Sequence, residues 1–88
     1  MNIIIFSKNN CSYCEKAKFL CKSNNLEFTE ININENDKNM IQFRKLCPDA
    51  RTMPQIIVDD ELIGGYDNFF AFLKTCSFEI IPSFIKKI

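Results

Sequence analysis

Hydrophobic and polar residues in the first third of the chain predict a strand, a helix and a second strand. Residues 2–6, NIIIF, form a short continuous apolar run rich in β-branched side chains, which is typical of a strand buried on both faces. Apolar residues then recur at helical spacing with lysines between them, so we predict a helix from Ser12 to about Asn24. Residues 26–33, LEFTEINI, alternate apolar and polar side chains as a strand does. This order predicts two parallel strands joined by a right-handed crossover.

The following segments predict two more helices. Met40, Phe43 and Leu46 lie at helical spacing and form the predicted inner stripe of a helix from about Asp37 to Leu46. A pair of glycines precedes the last predicted helix, which runs from about Asp67 to Cys76.

A hairpin lies between these two helices. Its strands, residues 55–58 and 61–64, are separated only by Asp59 and Asp60, and such a short connection predicts an antiparallel pair. The complete predicted order is therefore β-α-β-α-β-β-α. This order defines an α/β protein in which helices flank a small mixed sheet.

The chain is interpreted as a single domain, residues 1–88. Its length suits one compact unit with a modest core, and its hydrophobic fraction of 47% is ordinary for a globular protein. We find no linker and no internal repeat. Residues 76–88 are amphipathic but contain Pro82, and we predict that they form a C-terminal packing tail.

Composition excludes several classes of function. Eleven basic and eleven acidic residues cancel, and without a dense basic run we expect neither nucleic acid nor an anionic membrane as partner. The apolar run near the start is too short for a signal peptide, and no segment approaches membrane-spanning length, so we expect a cytoplasmic protein. Histidine is absent, which removes Cys-His dyads and mixed Cys/His zinc sites.

Cys11 and Cys14 form a C-x-x-C pair where the first predicted strand turns into the first helix. There the sulfur of Cys11 meets unpaired amide N–H groups and the positive end of the helix dipole, and Lys8 adds a positive charge. Cysteines in such settings have pKa values of roughly 3.5–7.5, against about 8.5 when free. Cys14 lies one turn further into the helix. We predict that Cys11 is an outer nucleophile and Cys14 an inner resolving thiol.

Other roles for the five cysteines remain open at this stage. A zinc site would need two further ligands from Cys47 and Cys76, and because its usual ligand spacing is missing we predict no metal site. Cys21 lies two helical turns after Cys14 and is interpreted as a small core residue. Cys47 and Cys76, each at the end of a helix, are interpreted as incidental.

Three short motifs carry a family resemblance. They are K-x-x-C-x-Y-C at residues 8–14, T-x-P at 52–54 and G-G-Y-D at 64–67. In this order and at these separations, the chain resembles the glutaredoxins of the thioredoxin-like fold over residues 2 to about 75. The absence of tryptophan argues against the W-C-G-P-C thioredoxin branch. The resemblance implies a thioredoxin-like four-stranded mixed sheet and a glutathione-dependent thiol–disulfide oxidoreductase.

The resemblance also implies a glutathione site. A cis bond between Met53 and Pro54 would expose the Met53 backbone to the glutathione cysteine, which would pair with it like an added strand. The amides at Tyr66 and Asp67 would bind the γ-glutamyl carboxylate, with the Asp67 side chain facing its ammonium group. The further implied contacts are Lys8 at the glycine carboxylate, Tyr13 over the tripeptide, Thr52 in its motif, Gly65 where the backbone comes close, and Gln42 and Arg51 as helpers at the glycine end.

Ordinary structural roles stay open for three of these groups. Residues 52–54 would also suit a simple turn before the next strand. Asp67 would suit a helix N-cap, and Lys8 a solvated surface lysine.

Ser12 departs from the commonest C-P-Y-C form of the motif. Serine restores a backbone N–H and loosens the first helical turn, and its hydroxyl can donate to a thiolate. Family members with C-S-Y-C include some that assemble a [2Fe–2S] cluster between two protomers, from the first cysteine of each and two glutathione thiols.

The sequence thus leaves three functions open. The first is an oxidoreductase acting with glutathione on glutathionylated or disulfide-containing proteins, expected to be a monomer. The second is a cluster carrier or sensor that is a homodimer only when a [2Fe–2S] cluster is bound. The third is a dedicated electron donor to one reductase, such as ribonucleotide reductase.

Overall fold

The computed structural model describes residues 1–76, and the predicted packing tail beyond Cys76 lies outside the described residues. Its elements follow the predicted β-α-β-α-β-β-α order, with ends within two residues of the predicted ones. They are β1 (Ile3–Ser7), α1 (Ser12–Ser23), β2 (Phe28–Asn32), α2 (Asp37–Leu46), β3 (Gln55–Val58), β4 (Glu61–Gly64) and α3 (Tyr66–Thr75).

The four strands form one mixed sheet in the order β2-β1-β3-β4. β1 and β2 are parallel, with Ile3 opposite Phe28 and Ser7 opposite Asn32. β3 is antiparallel to β1, and β4 is antiparallel to β3. β1 is a central strand with only Ile4 not fully buried, which confirms the prediction from its continuous apolar run.

Helices cover both faces of this sheet. Alternate side chains of β1 point to opposite faces, so each face contributes to its own core cluster. Buried residues of the sheet, α1 and α3 form the first core cluster: Ile3, Ile5, Ala17, Leu20, Cys21, Ile56, Val58, Phe69 and Leu73. The second core cluster is smaller and contains Phe6, Phe43, Cys47 and Ile57, so α2 packs on the other face. The Phe6 and Phe43 rings meet edge to face at 5.4 Å between centroids.

Two cysteines and one leucine test the predictions about the core. Cys21 is fully buried, which confirms its interpretation as a core residue. The interpretation of Cys47 as incidental is wrong, because Cys47 is 2% exposed and belongs to the second core cluster. The prediction that Leu46 lies on the inner stripe of α2 is wrong, because this side chain at the last helical residue is 44% exposed.

The β3–β4 connection confirms the predicted hairpin. Asp59 and Asp60 have φ values of 49° and 70°, the left-handed pair that a two-residue turn needs to match the twist of its strands. The Asp59 backbone N–H donates to the Asn2 carbonyl oxygen, and the Asn2 N–H donates to Asp59 Oδ1, both at 2.8 Å. The turn is therefore also tied to the start of β1.

Candidate functional site

Cys11 and Cys14 lie at the start of α1 and are joined by a disulfide, with their Cα atoms 5.3 Å apart. Cys11 is the N-cap residue in an extended conformation, and its Sγ accepts a hydrogen bond from the Cys14 backbone N–H at 3.2 Å. Cys11 is half-buried, whereas Cys14 is completely buried. The pair thus has one accessible sulfur beside a helix N-terminus and one inner sulfur.

Asparagines hold the loop that leads into Cys11. The Asn9 backbone N–H donates to Asn34 Oδ1 at 2.7 Å, and Asn32 Nδ2 donates to Asn9 Oδ1 at 3.1 Å. Asn10 has a φ of 53°, a left-handed conformation that asparagine tolerates better than most residues. Sequence reasoning missed these hydrogen bonds between asparagines. A signal was present, because polar residues follow both parallel strands and the carboxyl ends of such strands meet at one edge.

The T-x-P and G-G-Y-D motifs lie next to each other, and the G-G-Y-D motif lies next to the cysteine pair. The Met53–Pro54 peptide bond is cis, as the resemblance implied. A Cβ placed on Gly65 would come within 3.6 Å of the Pro54 carbonyl oxygen, so these two backbones are neighbours. The Tyr13 and Tyr66 rings are 6.0 Å apart between centroids, which joins the start of α1 to the start of α3.

The start of α3 is free of a side-chain cap within residues 1–76. Gly65 is its N-cap residue, and Asp67 lies exposed in the first turn, so the alternative that Asp67 caps this helix is wrong. The N–H groups of this turn are therefore left for another acceptor. Gly64 has a φ of 121°, and a Cβ there would lie 3.0 Å from the Asn68 side chain, so only glycine fits this approach.

The remaining predicted site residues are less closely tied to the pair. Lys8 is exposed in the loop after β1, and Thr52 is exposed with its carbonyl oxygen accepting from Gln55 Nε2 at 3.0 Å. Met53 packs against the second core cluster. Gln42 and Arg51 are exposed, and no hydrogen bond or ion pair within residues 1–76 links either of them to the motifs.

A polar cluster anchors α1, the helix that carries both cysteines, to β2. The buried Ser7 hydroxyl donates to Glu30 Oε2 at 2.6 Å, and Lys18 Nζ donates to the same oxygen at 3.0 Å. Lys18 also pairs with Glu15 at 3.0 Å. Partial burial would raise the pKa of Glu30, but the hydrogen bonds from Ser7 and Lys18 outweigh it and lower this pKa. The hydrogen bond to Glu30 raises the pKa of Lys18, and this effect is larger than the lowering of the pKa by burial.

We expect Glu30→Gln to destabilise the protein by about 1 kcal/mol at pH 7, a value that allows for solvent screening of this partly exposed pair. A lowered folded-state pKa contributes stability above the unfolded value of about 4.3, and this stability disappears as the pH falls through the folded value. The difference from wild type should therefore shrink towards pH 3. Urea unfolding at both pH values checks this, with Glu15→Gln on the exposed side of the cluster as control. An equal difference at both pH values would contradict it.

Burial makes two of the other cysteines poor nucleophiles. It raises the pKa of Cys21 to about 11, and it raises the pKa of Cys47 as well. Cys47 also packs on the face of the sheet opposite α1, so the structure does not bring it to Cys11 and Cys14. In residues 1–76 no group of three or more Cys, Asp or Glu side chains is placed to hold a metal ion.

Alkylation of the reduced protein at pH 8 should therefore distinguish reactive from unreactive cysteines. We expect Cys11 and the half-buried Cys76 to react with iodoacetamide in the folded protein, and Cys21 and Cys47 to react only after unfolding. Mass spectrometry of peptides before and after adding urea measures this directly. Labelling of the two buried cysteines at the rate of Cys11 would show that the core opens under native conditions.

No helix in the part of the chain that the structure describes is both long and apolar enough to cross a membrane.

A mixed sheet in the order β2-β1-β3-β4, helices on both faces and a C-x-x-C pair at the first helix N-terminus define a thioredoxin-like fold with a thiol–disulfide site. The family model for glutaredoxin matches residues 3–63. The chain belongs to the glutaredoxin family, which confirms the resemblance carried by its motifs, and membership supports thiol–disulfide oxidoreductase activity.

Individual relatives agree with this placement. The chain is 39% identical to glutaredoxin 1 of Rickettsia bellii over 71 residues, which cover 77% of this chain and 72% of the relative. The crystal structure of glutaredoxin 1 from Francisella tularensis, complexed with cacodylate, has a TM-score of 0.65 and 31% identity over 80% of this chain and 88% of its own. The buckwheat glutaredoxin–glutathione complex has a TM-score of 0.66 over 78% of this chain and 64% of its own, and at 24% identity it shares the fold.

Proposed function

We propose that the protein is a glutathione-dependent oxidoreductase that reduces glutathione mixed disulfides and protein disulfides. The observation that carries this proposal is the asymmetry of the pair, with Cys11 accessible at a helix N-cap and Cys14 buried one turn further on. Family membership supports glutathione as the reductant. We place the reaction in the cytoplasm, because it needs a supply of reduced glutathione.

With a glutathionylated substrate, the Cys11 thiolate attacks the sulfur of the bound glutathione. A Cys11–glutathione disulfide forms, the bond between glutathione and the substrate breaks, and the substrate leaves as a thiolate that takes a proton from water. A second glutathione thiolate then attacks the glutathione sulfur on Cys11. Oxidised glutathione leaves and the Cys11 thiolate returns, so each turnover consumes one free glutathione, and the other half of the oxidised glutathione comes from the substrate.

With a protein disulfide, Cys14 takes part. Cys11 attacks one substrate sulfur and releases the other as a thiolate. The Cys14 thiol gives up its proton and attacks the Cys11 sulfur, which releases the substrate and leaves the Cys11–Cys14 disulfide present in the structure. Because Cys14 is completely buried, it is placed to meet the disulfide on Cys11 rather than one in solution. Two glutathione molecules then restore both thiols.

Glutathione is proposed to bind across the three motifs. The open N–H groups at Tyr66 and Asp67 suit the γ-glutamyl carboxylate, and the exposed Asp67 carboxylate suits its ammonium group. Tyr13 is 51% exposed beside the disulfide and can lie over the tripeptide. The Met53 backbone would pair with the glutathione cysteine, as in strand addition. The remaining proposed contacts are Lys8, Thr52, Pro54 and Gly65.

The test is turnover of a glutathionylated peptide with glutathione, glutathione reductase and NADPH. We expect NADPH oxidation that depends on both the protein and glutathione. If the reduced, folded protein did not turn over the peptide with glutathione, the glutathione-dependent proposal would be wrong.

A glutathione-ligated [2Fe–2S] cluster in a homodimer is a second candidate, and Ser12 favours it. Ser12 is exposed at the first residue of α1, beside the accessible sulfur of Cys11. Two Cys11 thiolates and two glutathione thiols provide the four ligands that such a cluster needs. Anaerobic reconstitution with iron, sulfide and glutathione should then give a coloured dimer on gel filtration, and Ser12→Pro should reduce its yield. A colourless monomer from wild type would exclude this candidate.

A further inference from the structure

Three aromatic rings form a continuous row that starts at the cysteine pair and continues along α3. Tyr13 contacts Tyr66 at 6.0 Å between ring centroids, and Tyr66 stacks on Phe70 at 6.3 Å. We call Tyr13, Tyr66 and Phe70 the aromatic row. Tyr13 is 51% exposed, whereas Tyr66 and Phe70 are half-buried and pack against the first core cluster, so each ring is only partly open to solvent.

A lysine ammonium lies over each end of the aromatic row. Lys16 Nζ is 4.7 Å from the centroid of the Tyr13 ring, and Lys74 Nζ is 5.3 Å from that of the Phe70 ring. Attraction between cation and ring holds each charge beside the row. The ion pairs found within residues 1–76 both belong to Lys18, so neither Lys16 nor Lys74 is neutralised by a described carboxylate.

The far end of the row lies beyond the proposed glutathione site. Glutathione bound at Cys11 would end with its γ-glutamyl group at Tyr66 and Asp67. Phe70 lies one helical turn further along α3 and Lys74 two turns, or roughly 12 Å from Tyr66 at 1.5 Å per residue. A tripeptide held at both ends therefore does not reach Phe70 or Lys74. The two ring-to-ring steps would match about four residues of extended chain.

We propose that the aromatic row with Lys16 and Lys74 docks an acidic segment that flanks the reactive cysteine of a disulfide-bearing protein substrate. The proposal rests on the proposed function and names its substrate class. Apolar and aromatic side chains of the substrate pack on the rings, and its carboxylates face the two lysines. The protein as a whole carries no net charge, so selection for acidic substrates comes from these local charges.

The experiment compares two peptides of equal length, each with one internal disulfide. One carries glutamates at the third to fifth positions on both sides of the reactive cysteine, and the other carries glutamines there. Their kcat/KM values are measured with wild type, Lys74→Glu, Lys16→Glu and the control Lys45→Glu. Lys45 is exposed on α2, on the opposite face of the sheet, so its replacement makes the same change in net charge far from the row.

We expect wild type to prefer the acidic peptide about fivefold, with most of this preference lost at about 1 M salt, where charges are screened within about 3 Å. Lys74→Glu and Lys16→Glu should each lower the preference about fivefold, while Lys45→Glu leaves it within about twofold. Circular dichroism and the thermal midpoint show that each variant is folded. Lys74→Glu should reduce a small glutathione mixed disulfide as fast as wild type, because that substrate does not reach Lys74.

The proposal is overturned by equal kcat/KM for the two peptides in wild type, or by a preference that both row variants retain. The second of these results is expected if residues 77–88 or a second copy of the chain occupied the row, because the substrate would then not reach Lys74. Failure of the proposed function gives a different result, because wild type would then not turn over the small mixed disulfide either.

Discussion

Replacing Cys11 by serine should reduce turnover of a glutathionylated peptide to the uncatalysed rate, whereas Cys14→Ser should retain it within about threefold. A serine hydroxyl stays protonated near neutral pH, so Cys11→Ser has no thiolate to attack the glutathione sulfur. The reaction with a glutathione mixed disulfide requires only Cys11 and a second glutathione. Cys14 is buried and acts on the disulfide that Cys11 has already formed.

With a protein disulfide as substrate, Cys14→Ser should also differ from wild type. Here Cys14→Ser should accumulate a covalent complex with the substrate, because the inner thiol that would release it is missing. Non-reducing gels and intact-protein mass spectrometry detect this complex, and the glutathione-coupled assay measures turnover. Equal loss of activity in both variants, with both folded, would remove the division of roles between the two cysteines.

The placement of the motifs explains why one end of the fold is chemically active. β1 and β4 run in the same direction, because each is antiparallel to β3. α1 and α3 follow these two strands, so both helices begin at the same end of the sheet. Cys11 and Tyr66 are therefore brought together by topology, and the loop ending at Pro54 reaches the same end because β3 starts there.

The hydrophobic pattern was sufficient to predict this architecture. The apolar run in β1, the helical spacing in α1 and the two-residue turn at Asp59 and Asp60 each report a local preference that the tertiary structure retains. The position of Cys11 at a helix N-cap also followed from local sequence, because the cysteine lies between the apolar run of β1 and the helical spacing of α1. The three short motifs were sufficient to identify the family from the sequence.

Long-range side-chain contacts could not be predicted in this way. The hydrogen bond from Ser7 to Glu30 depends on the register of β1 against β2, and the pattern of apolar residues does not specify which polar side chains become partners. The hydrogen bonds among Asn9, Asn32 and Asn34 depend on the same register. Cys47 and Leu46 are neighbours at the end of α2, and only the direction in which the chain leaves the helix decides that Cys47 is buried and Leu46 is not.

Phe69→Ala should destabilise the protein by about 3–5 kcal/mol, the largest effect we expect from a change away from the cysteines. Phe69 is fully buried in the first core cluster, where α3 packs against the sheet and α1. Alanine removes most of the apolar surface buried there and leaves a cavity that a small core cannot fill. Since domains of this kind are stable by only about 5–15 kcal/mol, the loss is a large fraction of the total.

Phe19→Ala is the matched control, because Phe19 is 70% exposed on the outer side of α1 and should change the free energy of unfolding by less than about 0.5 kcal/mol. Urea unfolding followed by circular dichroism measures both variants. Similar values for the two would mean that α3 contributes little to the core. In that case the start of α3 would lack the rigid support that the proposed glutathione site needs at Tyr66 and Asp67, and activity would depend on glutathione binding to order it.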